Sequence, residues 1–184
     1  VHFIIDNTPP VVSNINITKD NKPVTYVKAG DTITITADVT DDNGVSAVSA
    51  DFSRNENYSS IPTPAYITMT KTSGNTYQAQ YTVPSSWTDG TMYIKVAARD
   101  LTGGNWVRST EYKTVIVDNT PPSAPTIISP SEGSYFNSTP ILNDWSDVTT
   151  DTSGIAYYRI EYVYDDGHNF FEGPYRTTTD SQRY

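Results

Sequence analysis

The side chains best equipped for chemistry in this 184-residue chain are carboxylates set in short Asp/Asn/Gly runs. Asp41-Asp42-Asn43-Gly44 is the densest run, Asp6-Asn7 and Asp118-Asn119 are a repeated pair, and Asp100, Asp147 and Asp151 stand in further turn-like stretches. Carboxylate, amide and backbone carbonyl oxygens are hard donors, and about six to eight of them make a Ca²⁺ site. The same residues are ordinary turn formers, because Asp and Asn bond their own backbone and Gly accepts positive φ. The choice between these roles depends on what the fold brings together.

Other chemistry is poorly served. His2 and His168 are the chain's histidines, and neither sits in a recognisable Ser–His–acid arrangement. His168 closes the acidic turn Asp165-Asp166-Gly167-His168, as a metal ligand or as a solvated loop residue. Asp165 and Asp166 are adjacent and lack the separation a glycosidase pair needs. There is no phosphate loop, Cys cluster or cofactor motif. No catalytic or cofactor-binding residue is assigned, and the expectation is a protein that is not an enzyme.

A net charge of −9 and a pI near 4.5 leave nothing to displace the counterions of a nucleic acid. The cationic residues are scattered singly, and no apolar run approaches the roughly 20 residues of a spanning helix, so neither nucleic acid nor direct membrane insertion is expected. The chain has no Cys, which leans toward a prokaryotic surface protein whose core stands without disulfides.

The elements that must position the carboxylates are organised by a repeat. Asp-Asn-Thr-Pro-Pro occurs at Asp6–Pro10 and at Asp118–Pro122, each time after a short β-like run, Phe3-Ile4-Ile5 and Val115-Ile116-Val117. Between the copies the clearest strand is Thr32–Thr40, with Ile33, Ile35, Ala37 and Val39 on one face and Thr34, Thr36 and Asp38 on the other. Val11–Thr18, the run holding Val48, Ala50 and Phe52, Ile67–Thr70, Tyr77–Val83, the run from Met92 to Asp100, and Ser109–Val117 complete about seven strands. Thr72-Ser73-Gly74-Asn75 reads as a hairpin turn.

After Pro122 the pattern restarts. Pro125–Ser129 and Thr139–Trp145 read as first and second strands, the Asp147–Gly154 loop parallels Asp41–Gly44, and Ile155–Tyr164 reads as one long strand. The expected fold class is all-β: tandem Ig-like antiparallel β-sandwiches, the second one incomplete. Residues 1–5 are expected to be the last strand of a preceding repeat, 6–118 a whole sandwich and 119–184 a partial one lacking its closing strands.

Val117-Asp118-Asn119-Thr120-Pro121-Pro122, Thr40-Asp41-Asp42-Asn43-Gly44-Val45, Tyr77-Gln78-Ala79-Gln80-Tyr81 and Asp89-Gly90-Thr91 resemble the Ig-like repeats of large prokaryotic cell-surface and adhesin proteins. Residues 123–184, with Pro140–Trp145 and Tyr157-Tyr158-Arg159-Ile160, are closer to a fibronectin type III-like variant, with Trp145 where that family puts its core tryptophan. The resemblance implies extracellular, cell-surface stalks and binding modules, whose partners are neighbouring repeats, other copies of the protein, or glycans and a host or neighbouring cell surface. It names no ligand, since the fold hosts many functions.

In such a sandwich the loop after the second strand and the loop before the last strand lie where the chain enters. That gathers Asp6, Asn7, Asp41, Asp42, Asn43 and Asp100 at one joint, and Asp118, Asn119, Asp147 and Asp151, with Asp89, at the next. Calcium is therefore the candidate cofactor, at the domain joints. Trp87, Trp106, Phe170, Phe171 and Tyr175 are candidates for stacking on sugar rings, or for covering the ends of the core.

The leading expectation is a non-catalytic stalk, fibre or surface-layer segment, stiffened where Pro-Pro pairs fix φ. The alternative is an adhesin, or a carbohydrate-binding module attached to an extracellular enzyme.

Overall fold

The computed structural model describes residues 5–55, 65–104, 106–137 and 141–160, with the strand backbones 163–165, 170–172 and 176–178. The preceding-repeat strand expected over residues 1–5 lies outside the described residues except for Ile5. The chain divides into two compact units, Val1–Asn119 and Thr120–Tyr184.

Among the described residues, eleven strands build the first unit: β1 Val11–Lys19, β2 Lys22–Pro23, β3 Tyr26–Val27, β4 Thr32–Thr40, β5 Val45–Asp51, β6 Tyr66–Thr68, β7 Thr70–Ser73, β8 Thr76–Thr82, β9 Gly90–Asp100, β10 Val107–Arg108 and β11 Lys113–Val117. One sheet runs β2-β1-β4-β8-β7 and the other β3-β11-β9-β5-β6, with β10 added beside β9. Alternation decides which side chains lie between them. From β4 come Ile33, Ile35, Ala37 and Val39; facing them are Val48, Ala50, Met92, Ile94, Val96 and Ala98, all buried. Each fully buried Ile or Val contributes about 1.5–3 kcal/mol. Phe52 meets Tyr81 at 4.6 Å between ring centroids, and Trp87 closes the core at 1% exposure.

Three features depart from the sequence expectation. The strand expected at Ile67–Thr70 is split, because β6 pairs with β5 in one sheet and β7 pairs with β8 in the other. The chain changes sheets at Met69, which is buried and donates its backbone N–H to the Val48 carbonyl at 2.8 Å. The strand expected at Ser109–Val117 is shortened to β11, which starts at Lys113, and the separate short strand β10 precedes it at Val107–Arg108. Third, β3 lies outside the expected strands and pairs parallel with β11, Tyr26 opposite Ile116 and Val27 opposite Val117.

The pairing fixes the path of the chain through this unit. Val11 opposes Thr40 and Val45 opposes Asp100, so the chain enters where β4 and β9 end. Val117 opposes Gly90 at the start of β9, so it leaves at the far end.

In the second unit, β12 Ile127–Ser129 pairs with β13 Asp144–Trp145, β14 Tyr158–Ile160 with β17 Arg176–Thr178, and β15 Val163–Asp165 with β16 Phe170–Glu172. The long strand expected at Ile155–Tyr164 thus becomes β14 and β15, which have different partners. Trp145 is buried and lies 5.7 Å from the Tyr158 ring. Among the described residues these are three separate two-stranded ribbons.

Candidate functional site

At the incoming end of the first unit, Asp41 starts the β4–β5 loop. Its Oδ1 accepts the backbone N–H groups of Asn43 and Gly44, both at 3.0 Å. Gly44 is required here, since φ is 108° and a Cβ would stand 2.9 Å from Leu101 Cδ1. Leu101 N donates to the Gly44 carbonyl at 3.1 Å, which docks the β9–β10 loop against this turn.

Asp100 Oδ1 accepts the Thr102 hydroxyl at 2.7 Å and the Gly104 amide at 3.2 Å. The Thr102 hydroxyl, helped by loop amides, holds the Asp100 carboxyl below the usual range against the opposing effect of burial. Asp6 Oδ1 accepts the Thr8 amide at 2.9 Å. Asn7, Asp42 and Asn43 are exposed. The second oxygens of Asp6 and Asp41, Oδ2 in each, are shielded from solvent without a hydrogen-bond donor. Among the described residues, no three acidic or His side chains converge where a metal ion could sit.

At the outgoing end Asn119 makes three bonds to two separate segments, the β8–β9 loop and the β3–β4 loop. Its backbone N–H donates to Asp89 Oδ1 at 2.6 Å, its Nδ2 donates to the Trp87 carbonyl at 2.8 Å, and its Oδ1 accepts the Ala29 amide at 2.7 Å. Asp118 contributes through its backbone, donating to the Val27 carbonyl at 2.8 Å. Asp147 is exposed in the second unit. Asp151 Oδ1 accepts both the amide and the hydroxyl of Ser153, at 3.0 and 2.9 Å.

The aromatic candidates separate. Trp87 is core, while Trp106 is 43% exposed. The side chains of Phe170 and Phe171, and all of Tyr175, lie outside the described residues. Trp106 belongs to a surface that sequence reasoning missed, the outer face of β6, β5, β9 and β10. There Lys95, Asp51 and Tyr66 are opposite one another across three strands. Ala97 opposes both Ser49 on β5 and Arg108 on β10.

Asp51 is 3% exposed and its Oδ2 lies 2.6 Å from Arg108 Nε. Arg108 Nη2 in turn donates to the Tyr66 hydroxyl at 3.1 Å. Burial pushes the Asp51 carboxyl up, but hydrogen bonds from Ser53 and Arg108 outweigh it and hold the group below its ordinary value. Alternation along β9 sets Tyr93, Lys95, Ala97 and Arg99 on this outer face, opposite the inward Met92, Ile94, Val96 and Ala98. The partners from Arg54, Arg108 and Tyr112 needed the tertiary fold.

A family profile described as bacterial Ig domain matches residues 14–96. Among solved structures, the fibronectin(III)-like modules of Clostridium thermocellum CbhA are similar over 91% of this chain and 76% of that one, at 20% identity and a TM-score of 0.38. No curated protein matches the chain. The alternation, the two facing sheets and the matched span agree: the chain carries an Ig-like β-sandwich domain.

Proposed function

We propose that this chain is a non-catalytic structural segment, of stalk, fibre or surface-layer type, in an extracellular multidomain surface protein. The observation that carries the reading is the path of the first unit, in at one end and out at the other, with the outgoing strand locked at its tip by Asn119. A module threaded in this way transmits position from one neighbour to the next. Its partners are adjacent Ig-like repeats or other copies of the chain. Antibodies against the 184-residue chain should label intact producing cells; labelling only after lysis contradicts the reading.

A second reading, Ca²⁺ at the incoming end, is favoured by the shielded Oδ2 atoms of Asp6 and Asp41. A buried carboxylate oxygen without a donor is costly, and a cation with water would complete it. Millimolar Ca²⁺ should then raise the melting temperature of the whole chain, and Asp41→Ala should remove most of that rise. Identical melting with calcium and with chelator leaves these residues as turn formers.

A further inference from the structure

The outer face of β6, β5, β9 and β10 gathers cations and exposed rings in a way the sandwich core does not need. Arg54, Lys95 and Arg108 are three of the chain's twelve cationic residues and line one hollow of about 210 Å³ with Asp51 and Tyr112. A neighbouring hollow of about 410 Å³ shares Arg108 and is bounded by Tyr66 and Trp106, over a floor of Ser49 and Ala97. The floor is low because these side chains are small and buried, at 7% and 2% exposure, whereas Tyr66 and Trp106 stand up at 42% and 43%. An aromatic residue over a ladder of small ones makes a trough with ring walls.

The cations are positioned, not merely present. Asn55 is buried and donates from Nδ2 to the carbonyls of Phe52 and Tyr93, both at 2.8 Å, while its Oδ1 accepts the Tyr93 amide at 2.9 Å. Its neighbour Arg54 is thereby held against the sheet, with Cζ 5.4 Å from the Tyr112 ring centroid. Lys95 Nζ lies 4.3 Å from the same centroid and donates to the Thr110 carbonyl at 3.2 Å. Tyr93 supports the ring edge-on at 5.8 Å. Among the described residues, Arg108 is paired with Asp51, while Arg54 and Lys95 enter no ion pair. Cation–π contact orders such groups while leaving their charge uncancelled. The hollow therefore carries a surplus of positive charge on a chain whose net charge is −9.

We propose that this face binds an acidic polysaccharide, with the rings of Tyr66 and Trp106 against a sugar face and Arg54 and Lys95 on its carboxylate or sulfate group. Three features favour that occupant. The rings and cations stand on the face of the sheet and not along its edge strand β6, so a peptide added as a further strand would pair at that edge and leave them uncovered. Nucleic acid, with about one charge per 1.7 Å of duplex axis, is disfavoured by the acidic remainder of the molecule. A polymer of uronate or sulfated sugars carries its charges further apart and presents apolar ring faces between them, which matches cations beside exposed aromatic rings. The inference does not depend on the stalk reading, since the site lies within one unit.

The test is affinity electrophoresis of the whole 184-residue chain in gels containing polygalacturonate, chondroitin sulfate, neutral dextran or polyglutamate. Retardation by polygalacturonate or chondroitin sulfate, and not by dextran, is expected; polygalacturonate carries carboxylate alone and chondroitin sulfate both groups, so stronger retardation by the latter assigns a part to sulfate. It should weaken with rising salt, as screening requires. Trp106→Ala and the pair Arg54→Ala/Lys95→Ala should each weaken binding by about tenfold or more, the size expected when charge-assisted or stacking contacts are lost. Arg54→Lys/Lys95→Arg should restore much of it, and matched melting temperatures separate lost binding from lost fold. No retardation by either sugar polymer, or equal retardation of the charge-deleted variant, overturns the proposal. Polyglutamate binding as tightly as the sugar polymers overturns it too, in favour of an acidic protein partner.

Discussion

The side-chain amide of Asn119 donates to the backbone carbonyl of Trp87 at 2.8 Å, joining the residue just beyond β11 to the one whose indole closes the core. The same side chain accepts from Ala29, so one residue ties two loops to the end of β11 at the outgoing end. Asn119→Ala removes both side-chain bonds and should cost about 2 kcal/mol, roughly 1 per net hydrogen bond. Asn119→Asp keeps the acceptor for Ala29 but turns an anionic oxygen toward a carbonyl, and should be no milder. Thermal melting of the whole chain reads both, and an unchanged first transition in either variant removes the latch from the account.

Acid should destabilise the fold in a defined window. Asp31, Asp38, Asp51 and Asp100 are all held below the ordinary carboxylate value of 3.8. A carboxyl with a lower pKa in the folded state contributes stability above its unfolded pKa and loses it as pH falls through the folded one. The melting temperature should therefore be steady near neutrality and drop below about pH 4. Asp51→Asn should be less stable at pH 7, because Arg108 loses its anion, and should show a shallower acid drop. A drop as steep as wild type would mean that the pair does not contribute to the acid response.

Gly44 and Gly30 offer a controlled comparison. Both have positive φ, 108° and 86°, but a Cβ at Gly44 meets Leu101 at 2.9 Å while one at Gly30 meets nothing within 4 Å. Gly44→Ala should cost clearly more than Gly30→Ala, for which backbone strain alone is about 1–2 kcal/mol. Denaturant midpoints decide it; equal losses would show that contact with Leu101 is relieved by side-chain movement.

Local pattern made the strands legible, and non-local pairing hid the rest. Thr32–Thr40 alternates so regularly that its inward face could be named residue by residue, and β4 has those bounds. Asp41–Gly44 was legible as a turn because Asp-Asn-Gly carries its own hydrogen-bonding instructions. Thr68-Met69-Thr70 carries no comparable instruction. Nothing local says that β6 and β7 belong to different sheets, because the partner strands β5 and β8 decide it. The parallel β3–β11 pair was hidden for the same reason, its strands being about ninety residues apart. Trp87 and Trp106 looked alike in sequence, each beside a loop, and only packing makes one core and the other surface. The cation-lined hollow draws Arg54, Lys95 and Arg108 from three elements, so no window of sequence contains it.

As a stalk segment, the first unit would carry load from one end to the other. Tension along the strands shears β11 from β3, whose bonds include Ile116 N to the Thr25 carbonyl and Asp118 N to the Val27 carbonyl, each at 2.8 Å. Bonds loaded in shear must break together. Single-molecule pulling of the 184-residue chain through its ends should therefore show the first unit opening in one cooperative step. Asp118→Pro deletes the donor to Val27 and should lower the force of that step while leaving its length unchanged. A first unit that unravels gradually at low force, or an Asp118→Pro variant that resists as strongly as wild type, contradicts the account.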